Sequence, residues 1–589
     1  MVRLGILLTT AALLIALTIV AEMPRVSVND TWIPLKNPND LVQMTTGDIE
    51  SFDPAWSYDT ASCEQVQYIY EPLLFYDGNS ADMFKPVLAT EWNASPDGKT
   101  VRFHVRSGVH FQNGDTLTPQ DVEYSFERAM VQDRVGGPTW MFYVPLLGLN
   151  SSRDGNGDIQ VTFSQIDQAV EVDGNWVQFN LVAPYPTLIF YQILCNTWAS
   201  IIDKAWCVAH GDWGGTASNW TAYNNPHVED SYLYDHVNGS GPWILQTWNP
   251  GIQITLVRND NYWRAPAPFE RVITKIVGDW TTRKEALLHG DADSVYVPRD
   301  CIGELTNVTD LNVYKDLPEL TINAFFFNMD IASDSPYIGN GALDGNGIPT
   351  NFFSDTNVRK GFCWAFDYGA YLQDAMQGDA IQPASPVIRG VAYYDPDTPR
   401  YSYDLTQATA YLKASWNGTL WDKGFQFTLT YSAGSIASKI ACDTLAEGLS
   451  TLNDKFQISV VPVPFSTMLE MITGRAMPMF QMGWTFDYPD PDDVVVPFMA
   501  SYGWFAHCQS YGYPELDELI AEGETAVDSA MRQAVYYQLQ QIYYDDAPSI
   551  MLAQPLGRRF FTKYIQGFYF NPMIPGLPGP LYYMSKSSP

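Results

Sequence analysis

Positive charge is what this chain has least of. Its 589 residues carry 33 Lys and Arg against 66 Asp and Glu, a formal net charge of −33. That balance argues against nucleic acid or anionic membrane as partners, since both attract basic surfaces. Charge of either sign is sparse, at 17% of residues, while 46% are hydrophobic. Such a composition describes a folded chain and excludes a disordered one. Signatures of catalysis are missing as well. The seven histidines (His104, His110, His210, His227, His236, His289, His507) form no His-Glu-x-x-His, and there is no Gly-x-Ser-x-Gly, Cys-x-x-Cys or Gly-x-Gly-x-x-Gly. Gly98-Lys99-Thr100 lacks the earlier glycine of a phosphate loop, because Asn93 stands in its place. No motif in the chain gives positive support to an enzyme. No cysteine precedes Cys63, which argues against a lipoprotein anchor, and no segment after Ala21 is apolar enough to span a bilayer.

What is present points outside the cytoplasm. Met1–Ala21 has Arg3 followed by the apolar run Leu4–Val20, the layout of a secretory signal or an uncleaved anchor. Seven Asn-x-Ser/Thr sequons, at Asn29, Asn93, Asn150, Asn219, Asn238, Asn307 and Asn417, suit a glycosylated surface. Seven cysteines are an odd, scattered set; Cys195 and Cys207 enclose a loop short enough to close as a disulfide, the rest reading as small buried hydrophobes. The length calls for two or three domains or two large lobes.

The clearest local structure runs from Leu88 to Arg128. Val101, Phe103 and Val105 alternate with Arg102, His104 and Arg106, the pattern of a half-buried strand. Ser95-Pro96-Asp97-Gly98 supplies a turn back to Thr90-Glu91-Trp92, and Val109 with Phe111 is expected to extend the sheet to Asn113-Gly114-Asp115. Thr118-Pro119-Gln120-Asp121 then starts a helix with capping-box chemistry, and Val122, Ser125, Phe126 and Ala129 form its inward face.

Those same residues, Leu88-Ala89-Thr90-Glu91-Trp92 through Asp121-Val122-Glu123-Tyr124-Ser125-Phe126, carry a resemblance over about forty positions. The stretch is similar to the signature of the family 5 solute-binding receptors of ABC importers, the dipeptide/oligopeptide/nickel-type binding proteins. Asn238-Gly239-Ser240-Gly241-Pro242-Trp243, Gly290-Asp291-Ala292-Asp293 and Asn357–Asp367 resemble further blocks of that family, although turn glycines and an amphipathic packing helix would explain them equally. The resemblance implies an α/β, periplasmic-binding-protein-like type II fold, in the large three-subdomain variant, whose two lobes close on a hinge. It places residues 1–26 as signal or anchor, 27–40 as linker and 41–322 as the first lobe, with a subdomain inserted at about 72–200. Residues 323–552 form the second lobe and 553–589 return to the first.

Along the rest of the chain, strands are expected at Leu41–Gln43, Val177–Leu181, Ile189–Leu194, Val272–Val277, Phe425–Tyr431 and Phe456–Val461. Helices are expected at Ala61–Tyr70, Thr282–Leu288, Tyr403–Leu412, Lys439–Leu452 and Phe465–Thr473. The β-α-β-α order after Phe425 implies partly parallel strands.

The resemblance also assigns a site. The Gly483-Trp484-Thr485 backbone would add to an extended peptide as a strand does, Phe486 follows it, and Asp487 would neutralise the ligand's amino group. Trp484, Tyr58 and Trp140 would supply side-chain contacts, and Tyr58-Asp59-Thr60 match the loop lining the cleft; the plainer reading makes Asp59 or Thr60 a helix cap and the aspartates a solvated turn. Dipeptide-binding members carry an arginine for the ligand carboxylate between strand and helix, where this chain has Ser432-Ala433-Gly434-Ser435-Ile436 and no cation before Lys439. That departure speaks against a strict dipeptide receptor. Expected partners are a peptide, with an oligosaccharide as the alternative, and a membrane permease, the receptor itself being a monomer. A secreted hydrolase using Asp490, Asp492 and Asp493, or a surface-layer protein, are the readings from other classes. No cofactor is expected. Asp154, Asn156 and Asp158, and Asp344 with Asn346, could wrap calcium, but neither loop has the EF-hand glycine or glutamate, and plain turns are the simpler reading.

Overall fold

In the computed structural model, residues 33–526, 528–574, 576 and 580–587 are described. The expected signal or anchor at Met1–Ala21 lies outside them. Among the described residues no helix is long and apolar enough to cross a membrane.

A mixed sheet runs through the molecule in the order Met479–Thr485, Thr321–Phe327, Ser549–Thr562, Ser294–Val295, Asp40–Thr45, Arg271–Ile276, Gln253–Arg258, Trp243–Asn249. Ser549–Thr562 holds it together. Its first half pairs antiparallel with Thr321–Phe327, and its second half pairs with Ser294 and with Leu311–Pro318. One fourteen-residue strand thus belongs to both lobes.

Period-2 alternation explains the second lobe. On Thr321–Phe327, Ile322, Ala324 and Phe326 enter one apolar core while Phe325 and Phe327 enter another on the opposite face. A strand buried on both faces has to read as a nearly continuous apolar run, and this one does. Asp40–Thr45 divides in the same way: Leu41 joins the first-lobe core, and Val42 and Met44 face a smaller cluster behind it. Phe425–Ser432 and Phe456–Val463 pair in parallel across the helix Ile436–Leu452, matching the expected alternation.

The inserted hairpin and helix form as expected. Ala89–Ala94 pairs with Thr100–Val105 in a four-stranded antiparallel sheet, Val101 and Phe103 are fully buried, and Thr118 and Asp121 close a capping box on Pro119–Gln132. Three expectations fail. Thr187–Leu194 is a helix, not a strand; an apolar run this short has no decisive period, and Pro186 stands just before its first turn. Val109 and Phe111 are buried but outside the sheet, their segment being held by a single bridge from His110 to Thr116. Cys195 and Cys207 are both free thiols buried in apolar surroundings, as are Cys63, Cys363, Cys442 and Cys508. Cys195 ends one helix and Cys207 sits inside another, Lys204–Ala209.

The glycines of Asn238–Trp243 serve close approach. A Cβ on Gly239 would stand 2.0 Å from the Ile69 carbonyl oxygen, where the helix Thr60–Ile69 ends, and the Gly241 N–H donates to that oxygen at 2.9 Å. The sequon residue Asn238 is buried there, bonded to Asp203 and Asn113, so the folded chain cannot present it to a glycan; Asn93, Asn150, Asn219, Asn307 and Asn417 are exposed.

A buried ion pair fixes the loop between the first strand and helix. Arg128 donates to both oxygens of Asp53, at 2.9 and 2.6 Å, and to Asp212 at 2.7 Å, with at most 1% of the Arg128 and Asp53 side chains exposed. Burial alone would raise the Asp53 pKa. The Arg128 charge and the Arg128 and Ser231 hydrogen bonds outweigh it and hold the carboxyl below its ordinary value. The contribution of Asp53 to stability is therefore present at neutral pH and is lost as pH falls through that depressed value. Arg128→Met should lower the unfolding free energy by about 3–5 kcal/mol, because it strands a buried carboxylate. The shift of the urea midpoint at pH 7 measures this, and a loss under about 1 kcal/mol would show that the pair is dispensable.

Candidate ligand-binding cleft

The two lobes enclose a cleft of about 660 Å³, within the size range of small-molecule sites. One wall is Tyr58, Asp59 and Thr60 with Asn196, Thr197 and Trp198; the other is Thr485, Phe486 and Asp487 beside Glu319, Leu320 and Thr321. The floor is the end of the shared strand, at Arg559, with Phe570 to Ile574 beyond it. Six of the expected site residues therefore meet, although they come from opposite ends of the sequence.

At their meeting point the Tyr58 hydroxyl donates to Asp487 Oδ1 at 2.6 Å, from one lobe to the other. Burial pushes Asp487 up to about 6, and the Tyr58 hydrogen bond offsets only part of that. Tyr58 itself is raised by burial and then by the carboxylate beside it, so it stays a donor. The Asp487 N–H donates to Asp493 Oδ2 at 3.0 Å, and Asn196 Nδ2 donates to the Asp487 carbonyl at 3.2 Å. Burial and the charge of Asp487 raise Asp493 well above the usual carboxylate range.

Each loop is braced by its own buried arginine. Asp53–Arg128 holds the segment leading to Tyr58. Asp490 accepts from Arg532 Nη1 and Nη2, both at 2.6 Å, within the loop that follows Asp487. Tyr488 of that loop reaches across into the first-lobe core and lies 6.5 Å from the Trp140 ring. The carboxylates Asp490 and Asp493 are thus occupied in holding the loop.

The strand Met479–Thr485 ends the sheet, and on it Gly483 and Thr485 are exposed. Its second edge is the feature an extended ligand needs. At Gly483 a Cβ would come within 2.9 Å of Asn323 Oδ1, so glycine lets the strands pack closely while the backbone stays accessible.

Gly483, Trp484 and Trp140 do not line the cleft. Trp484 packs on Phe505 and its Nε1–H donates to Asp493 at 3.2 Å, which makes it a support behind Asp487 instead of an apolar wall. Asp59 caps the helix, accepting from the Ser62 N–H at 2.8 Å, and its other oxygen is buried with no hydrogen-bond partner among the described residues. The two candidate calcium loops are turns bonded to themselves. Asp154 accepts from the N–H groups of Asn156 and Asp158, and Asp344 accepts from Asn346 and Asn340. Among the described residues, no three His, Cys, Asp or Glu are grouped to hold a metal. Sequence reasoning missed Asn196, Trp198, Glu319, Arg559 and Phe570. None sits in a motif, and only the expected return of the tail to the first lobe pointed toward the last two.

The family model for bacterial extracellular solute-binding proteins, family 5 Middle, matches residues 83–506. The chain is 25% identical over 554 residues to the "Probable D,D-dipeptide-binding periplasmic protein DdpA" of Escherichia coli (strain K12), covering 91% of this chain and 93% of that protein. Among solved structures it resembles the periplasmic binding protein DppA of Helicobacter pylori in complex with the peptide STSA, with a TM-score of 0.66, 20% identity and coverage of 93% and 98% of the two chains. It also resembles HbpA2 of Haemophilus parasuis, with a TM-score of 0.72, 20% identity and coverage of 93% and 100%. These likenesses show the fold to be the two-lobed type II periplasmic-binding-protein architecture.

Tyr58→Phe removes the one side-chain donor to Asp487 among the described residues. Carbon-detected NMR titration of the side-chain carboxyls should find Asp487 moved further above about 6. An unmoved or lowered value would mean the hydrogen bond has no hold on it.

Proposed function

Because this chain belongs to the bacterial extracellular solute-binding proteins of family 5, we propose that it captures peptides outside the cytoplasm and passes them to an ABC-importer permease. The observation that carries this reading is the position of Asp487. This residue lines the cleft just beyond the strand Met479–Thr485, whose second edge has no partner strand among the described residues. A peptide laid along Thr485–Asp487, the part of this segment that lines the cleft, would bond through its backbone whatever its sequence, and its ammonium would meet Asp487. That the named relatives include dipeptide- and peptide-bound proteins supports the same ligand class.

The lobes would close over the ligand by bending near the shared strand Ser549–Thr562, and Tyr58 would meet Asp487 as they close. On this reading the cargo would leave chemically unchanged, and Asp490 and Asp493 would serve to hold the loop. The aromatic rings of Tyr58, Trp198 and Phe570 are also platforms on which a sugar could stack, the basis of the oligosaccharide alternative. The N-terminal segment would hold the receptor at the cell surface, where it would act as a monomer.

Asp487→Ala should weaken a free-amino peptide by about 10- to 100-fold, the value of a charge-assisted hydrogen bond, and leave its N-acetylated form unaffected. Equal losses for both would remove the assigned role. A second expectation concerns pH. As pH falls through about 6, Asp487 takes up a proton and can no longer pair with an ammonium. Affinity for the free-amino peptide should then drop by up to about tenfold per pH unit, while the acetylated peptide shows no such step. Calorimetry between pH 8 and 5 reads both, and a flat profile for the free-amino peptide would contradict the account.

A further inference from the structure

In a chain whose net charge is −33, three cations gather in the first lobe, and none of them forms an ion pair among the described residues. Arg106 and Arg264 both lie against the Trp263 ring, their guanidinium carbons 4.6 and 4.3 Å from its centroid. Burial and the Arg264 charge hold Arg106 below its ordinary value. Arg106 Nε donates to the Val87 carbonyl at 2.8 Å, and Lys85 Nζ donates to the Tyr583 hydroxyl at 2.8 Å. Arg264 makes no hydrogen bond among the described residues; it rests only on the rings of Trp263 and Tyr582.

Arg264 and Lys85 line a second chamber, of about 110 Å³, where the helix Thr60–Ile69 ends against the tail of the chain. Its walls are largely aromatic, with Tyr68, Trp243 and Tyr262 buried and Tyr583, 43% exposed, at the outer mouth. The segment Cys195–Thr197 lines both this chamber and the cleft, whereas Lys85, Tyr262, Arg264 and Tyr582 line the chamber alone. Glu71 is the one carboxylate among its described lining residues, and it is already met. It accepts from the Tyr262 hydroxyl at 2.6 Å, Trp263 Nε1 at 2.8 Å and the Ser240 hydroxyl at 2.9 Å. A donor is left over instead, because the Trp243 Nε1–H is buried with no partner among the described residues. Buried donors are rarely left so, and a wall with spare donors and a spare cation calls for an acceptor that carries negative charge.

We propose that this chamber is a second ligand site, distinct from the cleft, for a small aromatic carboxylic acid. The ring lies among the tyrosines, where edge and face contacts between rings are favourable. The carboxylate meets Arg264, whose planar guanidinium with unused N–H groups matches it through two parallel bonds, and Lys85 adds charge at the mouth. Size limits the ligand as firmly as charge does. A cavity of roughly 150 Å³ holds a benzene ring, so this smaller chamber takes one ring, with the carboxylate left at the open mouth, and has no room for two. The site does not depend on what the cleft carries, and it stands whether the cargo is a peptide or a sugar.

The test is calorimetry with phenylacetate, phenylacetamide and acetate, on wild type, Arg264→Gln and Arg264→Lys. Wild type should bind phenylacetate about 10- to 100-fold tighter than the amide, and acetate, which has no ring, should show no saturable binding. Arg264→Gln should bring the acid down to the affinity of the amide, and Arg264→Lys should keep part of the preference. A second measurement needs no variant: anomalous scattering from wild-type crystals holding 4-iodophenylacetate should place the iodine among Tyr68, Tyr262 and Tyr582. Equal binding of acid and amide by wild type, an acid preference that survives Arg264→Gln, or iodine in the cleft beside Asp487 overturns the proposal. Absence of any phenylacetate binding overturns it too, and leaves the reading of the cleft untouched.

Discussion

The structure turns on one hydrogen bond between residues 429 positions apart, from the Tyr58 hydroxyl to the Asp487 carboxylate. It brings the two lobes together at the point where a ligand's charge would be read. A carboxylate this buried is costly to keep ionised, which is why Asp487 sits near 6. A single phenolic donor only partly compensates. The site is therefore under-satisfied, and an ammonium would complete it.

Such a contact is useful only if both partners are held still. The molecule does this twice by the same device, a buried aspartate gripped by both nitrogens of an arginine fork. Asp53–Arg128 fixes the approach to Tyr58, and Asp490–Arg532 fixes the turn after Asp487. Breaking either pair strands a charge in a dry interior, so both loops are held in place. Trp484 has the same supporting role. It stands behind Asp487, bonded to Asp493, and not in front of the ligand.

The sequence showed the parts governed by local rules. The hairpin and helix from Leu88 to Arg128 were legible because strand alternation and a capping box are written in adjacent residues. Ile189–Leu194 was misread as a strand because a short, mostly apolar run suits a buried helix as well. The candidate cleft was legible only through resemblance, at Asp487 and at the Tyr58 loop. Arg559, Glu319 and Trp198 gave no signal, since their position depends on which strands meet, and no local pattern encodes that. The proposed pairing of Cys195 with Cys207 failed for a related reason. Closeness in sequence does not bring two thiols together when each is buried at its own place in a packed core.

Native mass spectrometry of the protein purified without denaturant at pH 7.5, then exchanged to pH 5, tests the central claim most directly. The account predicts co-purified peptides with unblocked amino termini that dissociate as Asp487 is protonated. Bound glycans, or peptides blocked at the amino end and retained at pH 5, would contradict it.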